Sequence, residues 1–310
     1  MIELDSEQAK VVESNESMVV VAGPGSGKTR VLTEKARTLI EKGLDIICLC
    51  FTRSAAREMG SRVTNLPATT IHSYCNGVVG WDDKWDYPGL LYRFLISDYK
   101  RRFDWVLLDE CQDVNEMELD VVLSLVGDKI FAVGDPYQSI YGFQGAVGSK
   151  ILDVLTSLEC EVESLHNNYR SSSSIVSYLN KIYKRNLVSK STRETGLTAI
   201  LCRTNDDVKY VSRLLERSKI SHRLRVSVDR SVDDKREFDI GGESNLRLST
   251  IHVSKGLEFD RVLLFGWPGD KHLYDEEKRC YYVAYSRASK EFREVETIEE
   301  LIREVTNETC

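Results

Sequence analysis

Short apolar runs alternate with amphipathic stretches through the first half of this 310-residue chain. Four runs, residues 18–22, 46–51, 105–108 and 130–133, consist of apolar side chains, which is typical of strands buried on both faces of a sheet. Helix-like patterns such as residues 29–41 separate them. The alternation predicts an α/β domain with a parallel sheet.

The same alternation continues in the second half and predicts a second α/β domain. The predicted strands are residues 161–165, 198–202, 246–251 and 262–265, and the predicted helices are residues 172–183, 206–218 and 276–285. We assign residues 1–155 to the first domain and residues 156–310 to the second. Residues 229–244 are polar, charged and glycine-containing, so we expect a surface loop there.

Composition narrows the class of protein. A chain with 42% hydrophobic residues and this length can build two domains of ordinary size. No apolar stretch approaches the length of a membrane span, and the N-terminus lacks the pattern of a signal peptide. We therefore expect a cytoplasmic protein with no membrane partner. The eight cysteines lack zinc-ligand spacing and are expected to be reduced and buried.

The net charge of −7 disfavours long-range attraction to nucleic acid. Any contact with a polynucleotide must therefore depend on a local groove. Such a contact is expected to be sensitive to salt.

A glycine-rich loop stands between the first apolar run and the first helix-like stretch. Its residues are Ala22, Gly23, Pro24, Gly25, Ser26, Gly27, Lys28 and Thr29. The glycines allow backbone N–H groups to converge on phosphate oxygens, and the following helix directs its positive end at them. Lys28 is expected to reach the outer phosphates and Thr29 to bind Mg²⁺. The loop predicts ATP and Mg²⁺ as cofactors.

Two later strands also end in polar residues with a role in phosphate chemistry. Asp109 and Glu110 follow residues 105–108, where Asp109 can hold Mg²⁺ and Glu110 can deprotonate the attacking water. Gln138 follows the next apolar run and can sense a γ-phosphate through hydrogen bonds. Tyr141 and Phe143 offer rings for base stacking, although core packing is the better explanation for these aromatics taken alone.

The order of these segments resembles the UvrD/Rep/PcrA group of superfamily 1 DNA helicases, from Leu4 to about Phe292. In the first half the resemblance lies in LDSEQ at residues 4–8, CFTRSAAREM at 50–59, TIHSYC at 70–75, DECQD at 109–113 and VGDPYQSIYGFQGA at 133–146. In the second half it lies in LHNNYRS at residues 165–171, TIHVSKGLEF at 250–259 and YVAYSRA at 282–288.

The resemblance implies two RecA-like parallel-sheet lobes of the P-loop NTPase fold in tandem, with ATP hydrolysed in the cleft between them. The implied catalytic residues are Lys28, Glu110, Gln138, Arg170 and Arg287, of which Arg170 and Arg287 act as arginine fingers from the second lobe. Outside the glycine-rich loop, the implied nucleotide-binding residues are Gln8, Arg30, Tyr169, Gly256 and Glu258. Gln8 and Arg30 are expected near the adenine, Tyr169 on the base and Glu258 on the ribose.

The resemblance also implies a track for single-stranded DNA. The residues expected to line it are Phe51, Thr52, His72, Tyr141, Phe143 and His252. For the two histidines, a hydrogen-bonded role in shaping a loop remains an alternative. Arg57 and Arg62 belong either to a solvated helix face or to a phosphate contact.

The chain departs from the family in two respects. The large inserted helical domains are missing, and residues 80–102 leave room for only a short element. Its aromatic residues, Trp81, Trp85, Tyr87, Tyr92, Phe94 and Tyr99, either pack against the lobe or extend the DNA track. Gln144 replaces the arginine usual at its position.

Three functions are compatible with these observations. The first is an ATP-dependent translocase or helicase with 3′-to-5′ polarity that acts on single-stranded DNA and on junctions with duplex. The second is an ATP-gated DNA-binding or loading module that needs a protein partner to unwind duplex. The third is another NTPase such as a nucleotide kinase, which Arg170 and Arg287 disfavour.

Overall fold

The computed structural model describes residues 3–81, 86–99, 101–142, 145–146, 148, 150–191, 195–228, 236–240, 244–267 and 275–306. The chain divides into two compact units between His166 and Asn167. Each unit contains a sheet of six described strands.

The first unit is an α/β layer structure with a wholly parallel sheet among its described strands. The strands are β1 (Met18–Ala22), β2 (Ile46–Cys50), β3 (Ala68–Thr70), β4 (Phe103–Leu108), β5 (Val126–Gly134) and β6 (Glu161–Leu165), in the order β3-β2-β4-β5-β1-β6. The helices are α1 (Ser6–Glu13), α2 (Lys28–Glu41), α3 (Arg53–Arg62), α4 (Ile71–Val79), α5 (Tyr87–Ile96), α6 (Glu116–Ser124) and α7 (Lys150–Ser157).

Apolar cores cover both faces of this sheet. In β2, Ile47 and Leu49 belong to one core, whereas Ile46, Cys48 and Cys50 belong to the other. Successive side chains of a strand point to opposite faces, so a strand covered on both sides has to be apolar throughout. The uninterrupted apolar runs of the sequence follow from this arrangement, and the predicted α/β class is confirmed.

The position of β6 corrects the sequence-based assignment. Residues 161–165 were expected to open the second domain, but they pair in parallel with β1 along its whole length, from Met18 opposite Glu161 to Ala22 opposite Leu165. The first unit therefore continues past the predicted boundary at residues 155–156. The sequence of an edge strand such as β6 does not indicate which sheet the strand joins.

The second unit has a mainly parallel sheet. Its strands are β7 (Asn167–Asn168), β8 (Val188–Ser189), β9 (Thr198–Cys202), β10 (Arg223–Val228), β11 (Arg236–Ile240), β12 (Leu246–Thr250), β13 (Phe259–Phe265) and β14 (Ala288–Val295). The six-stranded sheet has the order β11-β10-β12-β9-β13-β14, and β7 pairs with β8 separately. The helices are α8 (Ser173–Tyr183), α9 (Asn205–Arg217), α10 (Asp275–Ser286) and α11 (Ile298–Thr306).

The expectation of a surface loop at residues 229–244 is wrong for residues 236–240. Residues 236–240 form β11, which pairs antiparallel with β10 from Leu224 opposite Ile240 to Val228 opposite Arg236. From Glu237 to Ile240, its sequence alternates acidic and apolar residues with the period of a strand. The short length and the acidic residues concealed this signal in a polar segment.

The short element near residues 80–102 contains α5, and the contacts of its described residues favour packing over DNA binding. Phe94 is buried in the core of the first unit, and the hydroxyls of Tyr74 and Tyr99 lie 2.8 Å apart. The rings of Trp81 and Tyr87 meet edge to face at 5.2 Å. Trp85 lies outside the described residues.

The cysteines within the described residues are all buried, and none of them forms a disulfide. This confirms the prediction for Cys48, Cys50, Cys75, Cys111, Cys160, Cys202 and Cys280. Burial raises the thiol pKa of Cys111, of Cys202 and of Cys280, the last to about 12. Among the helices that the structure describes, none combines the length and apolar character needed to cross a membrane.

Candidate nucleotide and nucleic-acid site

The glycine-rich loop connects β1 to α2 in the first unit. Gly25 and Gly27 have φ angles of 68° and 85°, in the left-handed region that favours glycine. The Ser26 hydroxyl donates to the Gly23 carbonyl at 2.7 Å, and Lys28 Nζ donates to the Ala22 carbonyl at 3.2 Å. The loop thus turns tightly before a helix N-terminus, a geometry suited to binding phosphate.

Helix α1 carries Gln8 against this loop. The Asp5 side chain caps the helix by accepting from the Gln8 backbone N–H at 2.8 Å. The Gln8 side chain is 1% exposed, and its amide donates to the Ser26 carbonyl at 2.9 Å. A Cβ atom at Gly27 would lie 2.8 Å from that amide nitrogen. Gln8 therefore contacts the phosphate loop itself, and its expected contact with adenine stays a prediction.

Asp109 and Glu110 lie at the carboxyl end of β4. The sheet order β4-β5-β1 brings this end, the end of β5 and the phosphate loop to the same edge. Asp109 is 6% exposed, and its carboxylate accepts from the Glu110 N–H at 3.0 Å. The Thr29 hydroxyl and the Asp109 carboxylate are hard oxygen donors, and such donors fit Mg²⁺.

Glu110 and Gln138 are connected through two residues that sequence analysis did not select. Gln112 donates to the Glu110 carboxylate at 2.6 Å and accepts from the Asp135 N–H at 2.9 Å. The Asp135 carboxylate accepts in turn from the Gln138 amide at 2.9 Å. The sequence pointed to Gln112 and Asp135 only through their positions in the motifs at residues 109–113 and 133–146.

In the second unit, Asn168 shapes the turn that carries Tyr169 and Arg170. Its side-chain oxygen accepts from the N–H groups of Arg170 at 2.9 Å and of Ser171 at 2.7 Å. Asn168 is fully buried, whereas Tyr169 is half-buried. The role of Asn168 is a second contribution that sequence analysis did not identify.

The two predicted nucleotide contacts Arg170 and Glu258 form an ion pair in the second unit. Arg170 Nε lies 3.1 Å from Glu258 Oε2. Arg170 also donates to the Ser286 carbonyl at 3.4 Å, which connects this pair to the end of α10. Nearby in the chain, Gly256 is exposed and has a φ angle of 87°.

Arg287 lies in the interior and is 1% exposed. Its guanidinium donates to the carbonyls of Val283 at 3.2 Å and Leu257 at 3.1 Å, and to the Ser286 hydroxyl at 3.1 Å. Arg287 therefore joins the end of α10 to the loop after β12. Its expected role as an arginine finger stays a prediction, as does that of Arg170.

The structure brings together two of the residues expected on the DNA track. The rings of Phe51 and Tyr141 have centroids 4.9 Å apart and are tilted by 40°. Thr52 caps α3 by accepting from the Ala55 N–H at 3.1 Å. Tyr141 is only 5% exposed. Phe143 and Gln144 lie outside the described residues.

His72 is buried, which favours its alternative role in shaping a loop. It is 5% exposed, its Nδ1 lies 3.5 Å from the Glu118 carboxylate, and its ring meets the Tyr87 ring edge to face at 4.9 Å. Burial lowers the pKa of His72 to about 4, so the ring is neutral at pH 7. His252 is half-buried in the turn after β12.

Arg57 and Arg62 both lie on exposed positions of α3. Arg62 pairs with Glu58 one turn earlier on the same helix. This contact fits the solvated-face alternative for Arg62.

Comparison with known proteins connects this geometry to a family. A profile for an AAA domain matches residues 6–144, and a profile for a UvrD-like helicase C-terminal domain matches residues 227–293. One match falls in the first unit and the other in the second.

Curated relatives carry helicase names. The chain is 24% identical over 294 residues to a probable DNA helicase II homolog of Mycoplasma capricolum, covering 59% of the chain and 41% of the relative. It is 22% identical over 332 residues to the ATP-dependent DNA helicase PcrA of Staphylococcus epidermidis, covering 71% and 44%. It is 38% identical over 95 residues to DNA helicase II of Escherichia coli, covering 30% and 13%. The chain spans less than half the length of these relatives.

Solved structures show the same fold. A structure of two coordinating Pif1 helicases at forked duplex DNA is similar with a TM-score of 0.53 and 16% identity, covering 99% of this chain and 98% of that one. The arterivirus nonstructural protein 10 helicase is similar with a TM-score of 0.50 and 16% identity, covering 95% and 63%. The predicted RecA-like α/β fold is confirmed. The matching profile in each unit and the relatives named DNA helicase II and PcrA support a UvrD-like helicase of superfamily 1.

Proposed function

We propose that this chain hydrolyses ATP and uses the energy to move 3′-to-5′ along single-stranded DNA, with unwinding at junctions with duplex. One observation carries the proposal. The phosphate loop after β1, the carboxylates after β4 and the Gln138 segment after β5 share one edge of the first sheet. Phosphoryl transfer to water needs a phosphate cradle and a base in this kind of proximity.

Each side chain at this edge has a specific task in the proposal. Lys28 binds the outer phosphates, and Glu110 orients the attacking water and accepts its proton. Gln138 donates to the γ-phosphate. Thr29 and Asp109 hold Mg²⁺, which neutralises charge on the phosphates.

The second unit contributes the remaining nucleotide contacts in this proposal. Arg170 and Arg287 stabilise charge on the transferred phosphoryl group, Tyr169 stacks on the base, and Gly256 and Glu258 lie at the ribose. Arg170 pairs with Glu258 at 3.1 Å, so two of these proposed contacts already lie side by side in the second unit.

On the DNA side, the proposal uses stacking rather than net charge. The half-buried Phe51 ring, which packs on the buried Tyr141 ring, supports a stacking surface next to the Gln138 segment. Base stacking contributes about 1–3 kcal/mol per base and accepts any sequence. A chain of net charge −7 can therefore bind single-stranded DNA locally.

A second candidate function is an ATP-gated DNA-binding or loading module that needs a protein partner to unwind duplex. The observation that favours it is the short element near residues 80–102, which contains α5 as its one described helix and leaves no room for a large inserted domain between α4 and β4.

The central test measures ATP hydrolysis with no nucleic acid, single-stranded DNA, duplex DNA and RNA. We expect single-stranded DNA to stimulate hydrolysis most. Lys28→Ala and Glu110→Gln should each reduce the stimulated rate by on the order of 10²-fold or more, because they remove phosphate binding and the base. Lys209→Ala, which removes an exposed lysine of α9, is the matched control and should retain the wild-type rate. Wild-type rates in both site variants would refute the proposal.

A strand-displacement assay separates the two candidate functions. Duplexes with a 3′ tail or a 5′ tail are offered to the isolated chain with ATP. Unwinding of the 3′-tailed duplex alone supports the helicase and its polarity. Robust unwinding without any partner excludes the partner-dependent module.

A further inference from the structure

The Gln112 side chain has no catalytic role in the proposed function, yet it makes three hydrogen bonds at the site. The side chain is fully buried in the first unit. Its Nε2 donates to Glu110 Oε2 at 2.6 Å and to Asp113 Oδ2 at 3.2 Å, and its Oε1 accepts from the Asp135 N–H at 2.9 Å. Both donors and the acceptor of the amide are therefore engaged.

These partners determine which way the amide faces. The nitrogen faces two carboxylates, and the oxygen faces a backbone N–H. The reverse orientation would oppose the amide oxygen to two carboxylates and the amide nitrogen to a donor. The Glu110 carboxylate is consequently held by a donor that neither gains nor loses a proton.

The backbone of Gln112 is bonded to the segment that follows β5. Its carbonyl accepts from the Ser139 hydroxyl at 3.1 Å and from the Gly148 N–H at 3.2 Å. At Gly134, a Cβ atom would lie 2.4 Å from Gln112 Oε1, so glycine permits this close approach. Gln112 is thus attached to the segment at its start, its middle and its end.

This segment contains residues from both proposed sites. Gln138 belongs to the γ-phosphate contact, and Tyr141 belongs to the proposed DNA track. A displacement of the segment on binding DNA would reach Gln112 through Asp135, Ser139 and Gly148. Because a buried and fully bonded amide cannot move independently of its partners, the Glu110 carboxylate would move with it.

We propose that Gln112 is a positioning residue that sets the Glu110 carboxylate according to the position of the segment between Gly134 and Gly148. The inference rests on the proposed function, because it assumes that Glu110 accepts a proton from water during ATP hydrolysis. Gln112 itself does no chemistry. It makes the position of the Glu110 carboxylate depend on the segment that carries Tyr141.

The test compares the full-length chain with Gln112→Met, which keeps a similar volume but removes the side-chain hydrogen bonds. We expect the rate at saturating single-stranded DNA to fall by on the order of 10–100-fold, because a misplaced base loses its alignment. The ratio of DNA-stimulated to unstimulated hydrolysis should fall toward one. The KM for ATP should stay within about twofold, since the phosphate loop is unchanged.

Two further variants separate positioning from stability. Leu90→Ala truncates a fully buried side chain of α5 in the same unit, and it should lower stability but keep the wild-type stimulation ratio. Gln112→Glu places a carboxylate beside Glu110 and Asp113. This like charge disfavours ionisation of the base, so the acidic limb of the pH profile of kcat should move to higher pH.

Each outcome decides one question. If Gln112→Met keeps the wild-type stimulation ratio, or if Leu90→Ala loses as much of it, the role of Gln112 is overturned and the proposed function stands. An unchanged pH profile in Gln112→Glu also overturns the role. If the wild-type chain hydrolyses ATP without any stimulation by DNA, the proposed function fails and the inference fails with it.

Discussion

At the scale of single residues, Lys35 shows how one buried charge holds two parts of the first unit together. It lies on α2, is 1% exposed, and donates to the backbone carbonyls of Val12 and Ser14 at the end of α1. Its ammonium also lies 4.5 Å from the centre of the Trp105 ring. Desolvation by burial lowers the pKa of Lys35 to about 8.

The lowered pKa of Lys35 predicts a pH dependence of stability. Between about pH 8 and the ordinary lysine pKa of 10.5, the unfolded chain binds more protons than the folded chain. The free energy of unfolding therefore rises with pH in this range. Relative to Lys35→Met, the wild-type chain should gain on the order of 1–2 kcal/mol from pH 8 to pH 10.5, measured by urea unfolding of both proteins. A difference that does not change with pH would contradict the lowered pKa.

Individual site residues were predictable where their role is local in sequence. The phosphate loop and the Asp109–Glu110 pair each consist of adjacent residues after an apolar strand, and the pattern itself predicts the chemistry. Gln112 escaped selection because its acceptor contact comes from Asp135, which is 23 residues away. Likewise, the partnership of Arg170 with Glu258 joins residues 88 apart, and only the fold brings them together.

At the scale of elements, helix α1 connects the phosphate loop to the last strand of the first unit. Gln8 bonds the loop at Ser26, as described above. On the same helix, the Glu7 carboxylate accepts from the His166 backbone N–H at 2.8 Å and lies 2.9 Å from His166 Nδ1. Lys10 pairs with Glu163 of β6 at 2.6 Å. An eight-residue helix is thereby fixed at several points.

Removal of the Glu7 carboxylate should loosen α1. We expect Glu7→Ala to cost about 1–2 kcal/mol of local stability, because two contacts with His166 are lost. Amide hydrogen exchange should accelerate in residues 6–13 and at His166. Glu13→Ala, at the exposed end of the same helix, is the control and should leave exchange unchanged. Equal exchange in the two variants would show that the Glu7 contacts do not stabilise the helix.

Whole elements were predictable when they were buried on both faces. Strands β1 and β9 occupy residues 18–22 and 198–202, as their apolar runs predicted. Strand β6 was assigned to the wrong domain and β11 to a loop, and both are edge strands of their sheets. An edge strand is less completely buried, so its sequence is more polar and carries a weaker signal.

At the scale of the whole molecule, the chain consists of two units with separate sheets, and β6 decides where the first one ends. Its pairing with β1 covers an edge that would otherwise be exposed. Leu165 at the end of β6 is 3% exposed and belongs to the core around β1. Division of the chain before β6 would therefore remove part of the first unit.

Fragments of the chain test this boundary. A fragment of residues 1–166 should unfold cooperatively, whereas a fragment of residues 1–157 lacks β6. We expect the shorter fragment to melt on the order of 10 °C lower, because it loses a strand pairing and the burial of Leu165. Thermal unfolding followed by circular dichroism gives both melting temperatures. Equal values would place the boundary before β6, as the sequence suggested.

The burial of the cysteines has a practical consequence for observing this protein at work. Thiol-reactive dyes need an accessible thiolate, and Cys111, Cys202 and Cys280 are both buried and held protonated at neutral pH. In a Cys310→Ser background, Tyr92→Cys on α5 and Tyr210→Cys on α9 would introduce one exposed labelling position in each unit. Energy transfer between two dyes at these positions can then be compared with and without ATP while the native buried cysteines stay in place.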